Sequence, residues 1–228
     1  MKRLTCMLLV LVMMMGAMAL AESDASIEIA TAEQLAGLAG IVNGTASGIT
    51  ADDFSGKTIK LANDLYLNSD ENKTANEWTS IGGHILVSGD GTSGSTYDDT
   101  NFAGTFDGQG HMIYNIYINH MLSTEEQQSL FGRNLGTIRN VGTTGEVNVY
   151  RDPGGICGYN TGLIEYCYSG ASIDSNGGGG QRGAGGIVGE NYGTVQYCWS
   201  DSSVYNQYRC AGGIVGCNGE GSAGTGLI

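Results

Sequence analysis

The side chains of this 228-residue chain that could carry out chemistry are histidines, carboxylates, cysteines and aromatics. No His-Glu-x-x-His pattern surrounds His84, His111 or His120, so the sequence carries no metallopeptidase zinc motif of this type. Cleavage of a glycosidic bond needs two carboxylates about 5 to 10 Å apart. The adjacent acids at 52–53 and at 98–99 would instead point to opposite faces of a strand. We therefore expect no catalytic residues and no enzymatic activity.

The cysteines offer a second source of chemistry. Cys167 and Cys198 hold the same position in two copies of a repeat, so we expect them to point inward and to stack on each other. They are either two free buried thiols or a disulfide, which a secreted protein permits. Because the sequence contains no short Cys-x-x-Cys pair, we expect no zinc site, no other metal site and no cofactor.

Aromatic residues recur at the same positions of the repeat. Tyr168 and Trp199 share one position, and Tyr166 and Tyr197 share another, two residues earlier. If these pairs face outward, they form a flat strip suited to sugar rings or to a protein partner. The alternative is an aromatic stack that only stabilises neighbouring strands. We take the strip as the candidate ligand-binding site.

A glycine-rich phrase positions all of these residues. It reads PGGICGYNTGLIEYC at 153–167, AGGIVGENYGTVQYC at 184–198 and AGGIVGCNGEG from residue 211. The phrases align on four glycines, Gly132, Gly158, Gly189 and Gly216. Apolar residues follow at three fixed offsets from this anchor: Ile138, Ile164 and Val195, then Val141, Cys167 and Cys198, then Val147, Ile173 and Val204.

This repeat predicts a parallel β-solenoid in which one phrase forms one coil. A period of 26 to 31 residues, with β-branched residues and no helical stretch, fits stacked β-coils better than helical repeats. Equivalent apolar residues should then form internal ladders with a spacing of roughly 4.8 Å. We expect the four anchor glycines to form the sharp turns, because glycine adopts positive φ at little cost.

The segment ahead of the repeats predicts a cap. Residues 31–34 have the form of a capping box, and the apolar residues after them have helical spacing: Leu35, Leu38, Ala39 and Val42. This pattern indicates a short amphipathic helix that ends near Asn43 and covers the first coil. The alternating stretch 57–68 should start the coils. The acidic stretch 88–101 fits no standard calcium loop, so we interpret it as a solvated loop, with a calcium site as the alternative.

The first residues and the net charge indicate where the protein is located and which partners it does not bind. Lys2 and Arg3 precede an apolar run at 8–15, and a small-x-small pattern stands at 19–21, as in a secretory signal peptide. Cleavage after residue 21 would make the net charge more negative than −13. Such an acidic protein is not expected to bind nucleic acid or anionic lipid. We expect a secreted, extracellular or cell-surface protein with no membrane insertion after signal cleavage.

The repeat phrases resemble a known motif. GICG at 155–158, GIVG at 186–189 and 213–216, and SLFG at 129–132 resemble the GLUG motif of bacterial secreted and surface proteins. The stretch 102–118 is similar to the segment that leads into such repeats. The resemblance implies a right-handed β-helix, as in adhesin-like proteins and in the N-terminal regions of immunoglobulin A1 metallopeptidases.

These observations combine into one prediction. We expect an all-β chain that forms a right-handed parallel β-helix with a short N-terminal capping helix. Its parts are a signal peptide (1–21), a strand and helix (22–56), first coils with an acidic loop insertion (57–128) and GLUG-like coils that stop in mid-coil (129–228).

The expected function is an adhesin-like binding module or structural stalk without catalysis. Its partner would be an extracellular protein or polysaccharide, and the uncapped last coil could associate end to end with another copy. Two alternatives remain open. The chain could be a polysaccharide-active lyase or hydrolase, or the non-catalytic front part of a secreted metallopeptidase.

Overall fold

The computed structural model describes residues 26–88, 96–120, 127–176, 183–219 and 226–227, and the predicted signal peptide lies outside them. Within these ranges the chain forms a β-solenoid of about six turns, which confirms the predicted parallel stack of coils. No helix in the described part of the chain is long and apolar enough to cross a membrane.

One helix and twenty strands make up the described ranges of the chain. The helix, α1, spans Ala32–Val42. The strands are β1 (Ile27–Ile29), β2 (Thr58–Leu61), β3 (Leu65–Tyr66), β4 (Gly83–Ser88), β5 (Thr96–Thr100), β6 (Thr105–Asp107), β7 (Met112–His120), β8 (Phe131–Asn134), β9 (Thr137–Arg139), β10 (Gly142–Val149), β11 (Cys157–Asn160), β12 (Leu163–Glu165), β13 (Tyr168–Ser175), β14 (Gly183–Gly185), β15 (Val188–Asn191), β16 (Thr194–Gln196), β17 (Trp199–Ser200), β18 (Ser203–Asn206), β19 (Cys210–Gly212) and β20 (Val215–Asn218).

Three parallel sheets form the sides of the solenoid. The first has the strand order β1-β2-β6-β9-β12-β16, and the second has the order β17-β13-β10-β7-β3, with β18 also paired to β13. The third has the order β20-β15-β11-β8. From β8 to β18 the chain passes through the third, first and second sheets in turn, three times, and residues at one repeat position become neighbours on adjacent coils.

The interior is filled by ladders of apolar side chains. In the first sheet, the register aligns one buried or partly buried residue from each of six strands: Ile27, Ile59, Phe106, Ile138, Ile164 and Val195. In the second sheet, Val147 aligns with Ile118 and Ile173, and Ile173 aligns with Val204. Burying one such aliphatic side chain contributes about 1.5 to 3 kcal/mol.

The helix caps the first coil with the predicted signals. Thr31 Oγ1 accepts a hydrogen bond from the Gln34 amide, and Gln34 Oε1 accepts one from the Thr31 amide, both at 3.2 Å. At the other end, Asn43 Nδ2 donates to Ser80 O at 2.9 Å, and Asn43 Oδ1 accepts from the Gly82 amide at 2.9 Å. The apolar face of the helix packs into the same core as Ile29. These bonds therefore fix the helix on the coils.

A column of asparagines runs through the turn between the third and the first sheet. Asn134, Asn160, Asn191 and Asn218 stand two residues after the four anchor glycines. The Nδ2 of each of the first three donates to the Oδ1 of the next at 2.8 Å. The Oδ1 of each also accepts from the backbone amide two residues on, as Asn160 does from Gly162 at 3.2 Å. This ladder satisfies polar groups that would otherwise be buried without partners.

The prediction that the four anchor glycines form turns at positive φ was wrong. Gly132, Gly158, Gly189 and Gly216 lie inside strands β8, β11, β15 and β20, and their φ values are not positive. Glycine is required there by close backbone approach. A Cβ on Gly189 would lie 2.3 Å from Asp152 O, and one on Gly132 would lie 2.3 Å from Gly82 O.

The acidic stretch 88–101 is not simply a loop. Strand β5 lies within it and pairs with β4 in antiparallel fashion, so the stretch belongs to a two-stranded arm inserted between coils. The residues between these strands, 89–95, lie outside the described part of the chain. Arg133 joins the arm to the solenoid, because its Nη1 lies 2.8 Å from Asp99 Oδ2.

Candidate ligand-binding corner

The solenoid turns from the first sheet into the second through a corner that contains a left-handed residue in four coils. Gln109, Asn140, Tyr166 and Tyr197 all have a left-handed backbone, with φ between 52° and 55°. Asparagine tolerates this region because its side chain bonds locally, whereas a bulky residue there is an outlier. These four residues, and not the anchor glycines, make the sharp turn. Asn140, Tyr166 and Tyr197 occupy the same repeat position, and we call these three the corner column; Gln109 lies one residue later, in a corner that is two residues longer.

The two tyrosines of the corner column stack on each other in the solvent. The ring centroids of Tyr166 and Tyr197 are 4.9 Å apart, with an angle of 14° between the ring planes. Tyr166 is 49% exposed and Tyr197 is 66% exposed. The predicted pair therefore faces outward and stacks at the same time.

The second predicted pair lies at the start of the second sheet. Tyr168 and Trp199 are register partners on β13 and β17, with ring centroids 5.6 Å apart and ring planes tilted by 36°. Trp199 is 58% exposed. The Tyr168 hydroxyl donates to Asp201 Oδ1 at 2.7 Å, and this hydrogen bond raises the pKa of Tyr168. Asp201 thereby fixes the orientation of the Tyr168 ring.

A groove of about 590 Å³ brings three of the four predicted aromatics together. It is lined by Gln109, Gly110, Met112, Asn140, Val141, Gly142, Tyr166, Tyr168 and Trp199. Gly142 forms part of its surface, and a Cβ there would lie 2.1 Å from Met112 Sδ and 3.2 Å from Tyr168 Cδ1. The absence of a side chain at this position lets the neighbouring methionine and tyrosine approach the backbone of β10.

Carboxylates hold the residues that line the groove. Asp107 Oδ1 accepts from Asn140 Nδ2 and from the Gln109 amide, both at 3.0 Å. Burial by itself would raise the pKa of Asp107, but these hydrogen bonds and the Arg139 charge lower it below its ordinary value. Asp64 Oδ1 accepts from the Met112 amide at 2.9 Å. The groove therefore lies next to the carboxylate side chains of Asp107 and Asp64.

The five cysteines in the described part of the chain are free thiols, and Cys167 and Cys198 lie below the corner. Cys167 is fully buried and Cys198 is partly buried, and the Cys167 amide donates to Cys198 Sγ at 3.4 Å. Burial raises the pKa of Cys167 well above its ordinary value, and it raises that of Cys157 to about 12. Since the thiolate is the reactive form, these two thiols are poor nucleophiles.

A second column, on the outer face of the first sheet, holds most of the charges near the corner. The register aligns Glu28, Lys60, Asp107, Arg139, Glu165 and Gln196 in that order, so acidic and basic residues alternate. Arg139 Nε and Nη2 both lie 3.0 Å from Asp107 Oδ2. Gln196 Nε2 donates to Glu165 Oε2 at 2.9 Å. The carboxylates of Asp107 and Glu165 therefore each have a polar partner within the protein.

The three histidines lie apart, and each meets one carboxylate. His84 Nδ1 is 2.9 Å from Asp99, His111 Nδ1 is 3.1 Å from Asp64, and His120 Nε2 is 3.4 Å from Glu77. Among the described residues, no three His, Cys, Asp or Glu side chains form a group that could hold a metal ion.

The corner and the asparagine ladder differ in how far the sequence alone could predict them. The aromatic positions follow from the repeat, but the positive φ at a tyrosine could not be read from residue type. The asparagines, in contrast, stand at a constant offset in GRN, GYN, GEN and GCN, and this recurring letter was the available signal.

Comparisons with known proteins find a distant structural similarity and no similar sequence. The sequence matches no family model, and a search of curated proteins finds no relative. Among solved structures, a 1.30 Å crystal structure of a "putative immunoglobulin A1 protease" from Bacteroides ovatus aligns with 89% of this chain and 82% of its own. The sequence identity is 17% and the TM-score is 0.38, and a similarity at this level carries no argument about function.

Proposed function

We propose that this protein is a secreted or cell-surface β-solenoid that acts as a non-catalytic binding module, with the aromatic corner as its ligand-binding surface. The ligand is an extracellular polysaccharide or protein. The observation that carries the proposal is the presence of two exposed tyrosines in a left-handed backbone conformation.

The energetics of the corner support a role in binding. A left-handed conformation costs a residue other than glycine roughly 1 to 2 kcal/mol. A stacked aromatic pair stabilises the fold by only about 0.5 to 1.5 kcal/mol in addition to the contribution of its buried surface. Asn140 makes the same turn with a residue that suits it, so the fold does not require tyrosine at Tyr166 or Tyr197. Backbone strain of this kind is concentrated at ligand clamps and active sites.

The setting of the module rests on the sequence. The signal-peptide pattern at 1–21 and the acidic charge suit an extracellular protein. The resemblance of the repeat phrases to the GLUG motif adds the expectation of an adhesin-like module or a surface stalk. An exposed groove on a rigid rod suits such a role, because the coils hold the aromatic side chains in fixed positions.

The absence of catalysis is part of the proposal. Near the corner, Asp107 is held by Arg139 and Asn140, and Glu165 accepts from Gln196. A general acid or base needs access to a substrate proton and a pKa near the working pH. The lowered pKa of Asp107 does not suit a general acid.

Ligand retention by aromatic variants tests the proposal. The mature chain would be applied to a glycan array and to immobilised extracellular-matrix proteins, beside the double variant Tyr168→Ala/Trp199→Ala. We expect the double variant to lose binding by about tenfold or more, equivalent to about 1.4 kcal/mol. Tyr66→Ala is the matched control, because Tyr66 is 56% exposed on the same sheet but does not line the groove. Unchanged retention by a folded double variant would contradict the proposal.

A further inference from the structure

The tyrosine stack of the corner column stops halfway along the described coils. Tyr197 covers one face of the Tyr166 ring. In the coil on the other side, the same corner position holds Asn140, and the coil beyond it turns through the longer segment 108–111, which contains Gln109. Tyr166, Asn140 and Gln109 all line the groove, whereas Tyr197 does not. At the corner column, the groove therefore lies on the side of Tyr166 that is not stacked on Tyr197, and on the second sheet it extends to Trp199.

The spacing of the coils sets the size of this gap. Neighbouring strands lie about 4.8 Å apart, which matches the 4.9 Å between the rings of Tyr166 and Tyr197. A flat ring placed over Asn140 would therefore lie at stacking distance from Tyr166. Because the corner of the next coil is two residues longer, Gln109 does not continue the column, and the gap beside Tyr166 is one coil wide, or roughly 5 Å.

We infer that this gap is a binding site for a ring of a neutral polysaccharide, which stacks on Tyr166 as the next member of the column. This inference rests on the proposed binding function of the corner and specifies its ligand. The C–H groups on one face of a sugar ring suit the negative face of an aromatic ring. The hydroxyls at the edge of the sugar suit polar partners, and amide side chains are present at Asn140 and Gln109.

The charges around the groove select against an acidic ligand. Four lining residues have carboxylate partners: Asp107 holds Asn140 and the Gln109 amide, Asp201 holds Tyr168, and Asp64 holds the Met112 amide. Arg139 pairs with Asp107, so these two charges cancel, and the carboxylates of Asp64 and Asp201 supply the negative charge beside the groove. His111 lies 3.1 Å from Asp64. The whole chain also carries a net charge of −13. A uronic acid or a sulfated sugar would be repelled, whereas a neutral sugar would not.

The variant Asn140→Tyr tests this site by filling it. Tyrosine adopts the same backbone conformation at Tyr166 and Tyr197, so the corner can accept it. Affinity electrophoresis would compare neutral probes (β-glucan, mannan and xylan) with the anionic probe polygalacturonate. We expect the wild-type protein to be retarded by a neutral probe and not by polygalacturonate. Asn140→Tyr should lower that affinity by about tenfold or more.

Two further variants separate blocking of the site from a folding defect. Asn148→Tyr makes the same change at a partly exposed position of β10 outside the groove, and it should bind like the wild type. Tyr166→Asn removes the stacking surface while keeping a residue that suits the turn, and it should also lose binding. Urea unfolding would show whether each variant is folded.

The outcomes distinguish this inference from the proposed function. If neutral binding is lost in Tyr168→Ala/Trp199→Ala but kept in both Asn140→Tyr and Tyr166→Asn, the site over Asn140 is overturned and the binding corner stands. Binding of polygalacturonate or of a matrix protein, without neutral polysaccharide, also overturns the inference alone. If the wild-type protein binds no probe in either assay, both are overturned.

Discussion

The same short strands of the first sheet, β9, β12 and β16, are flanked by two columns with opposite properties. Before each strand lies a buried asparagine, and the residue is the same in these three coils: Asn134, Asn160 and Asn191. After each strand lies the corner column, whose backbone is the same in these three coils but whose side chains differ: Asn140, Tyr166 and Tyr197. The asparagine column repeats the same side chain from coil to coil, whereas the corner column repeats only the backbone conformation.

The difference shows what the fold demands at each point. A buried asparagine must exchange hydrogen bonds with both neighbours, so any other residue leaves unpaired polar groups. At the corner, the fold requires only a left-handed residue, and solvent surrounds the side chain. The choice of tyrosine there is therefore available to function.

The largest effect should come from the inner column. Asn160→Leu would remove three hydrogen bonds of the ladder, those with Asn134 Nδ2, Asn191 Oδ1 and the Gly162 amide. Because each buried hydrogen bond contributes about 0.5 to 1.5 kcal/mol, we expect a loss of about 2 to 4 kcal/mol in the free energy of unfolding. Urea unfolding measures it. Asn218→Leu, at the exposed end of the ladder, should cost about 1 kcal/mol, and equal losses for the two variants would contradict the ladder.

The next effect concerns the anchor glycines. Gly189→Ala places a Cβ 2.3 Å from Asp152 O, so the coils must separate locally. We expect it to destabilise the protein by about 2 to 3 kcal/mol, as overpacking does. Gly213→Ala is the matched control, because no heavy atom lies within 4 Å of its Cβ position and its φ is not positive. If thermal unfolding shows the same midpoint for both variants, close backbone approach is not the reason for glycine.

A smaller effect should depend on pH. The pKa of Asp107 is lower in the folded protein than its ordinary value of 3.8. Its ionised form therefore contributes stability above pH 3.8, and this contribution is lost as the pH falls through the folded pKa. Wild-type stability should fall by about 1 to 2 kcal/mol below pH 4, and Asp107→Asn should reduce that fall. Glu146→Gln, at an exposed carboxylate, should leave it unchanged.

The smallest effect on stability is expected at the corner. Tyr197→Asn loses a ring stack but relieves a strained backbone, and these contributions of about 1 kcal/mol each nearly cancel. The free energy of unfolding should change by less than about 1 kcal/mol. A loss as large as that of Asn160→Leu would show that Tyr197 holds the fold together.

The sequence allowed much of the fold to be predicted. The repeat gave the stacked coils, and the register places Ile138, Ile164 and Val195 side by side. The capping box gave the helix, which ends next to Asn43. These features are readable because they depend on local periodicity and on the hydrogen bonds of a few adjacent residues.

Other features depend on contacts between coils and could not be derived locally. A glycine can serve a turn or a close approach, and only the position of Asp152 O shows which applies at Gly189. Strand β5 consists of polar residues that resemble a loop until β4 pairs with them. The groove exists because Asn140 and Gly142 lie beside Tyr166 on the next coil, and only the register brings them together.

The most direct test is to measure stability and binding together on the double variant Tyr166→Asn/Tyr197→Asn. It retains a residue suited to the turn in both coils and removes only the aromatic surface. We expect the free energy of unfolding to stay within about 1 to 2 kcal/mol of the wild type, while polysaccharide affinity falls by about tenfold or more. Unchanged affinity in a stable variant, or a loss of stability as large as that of Asn160→Leu, would contradict the assignment of the corner to binding.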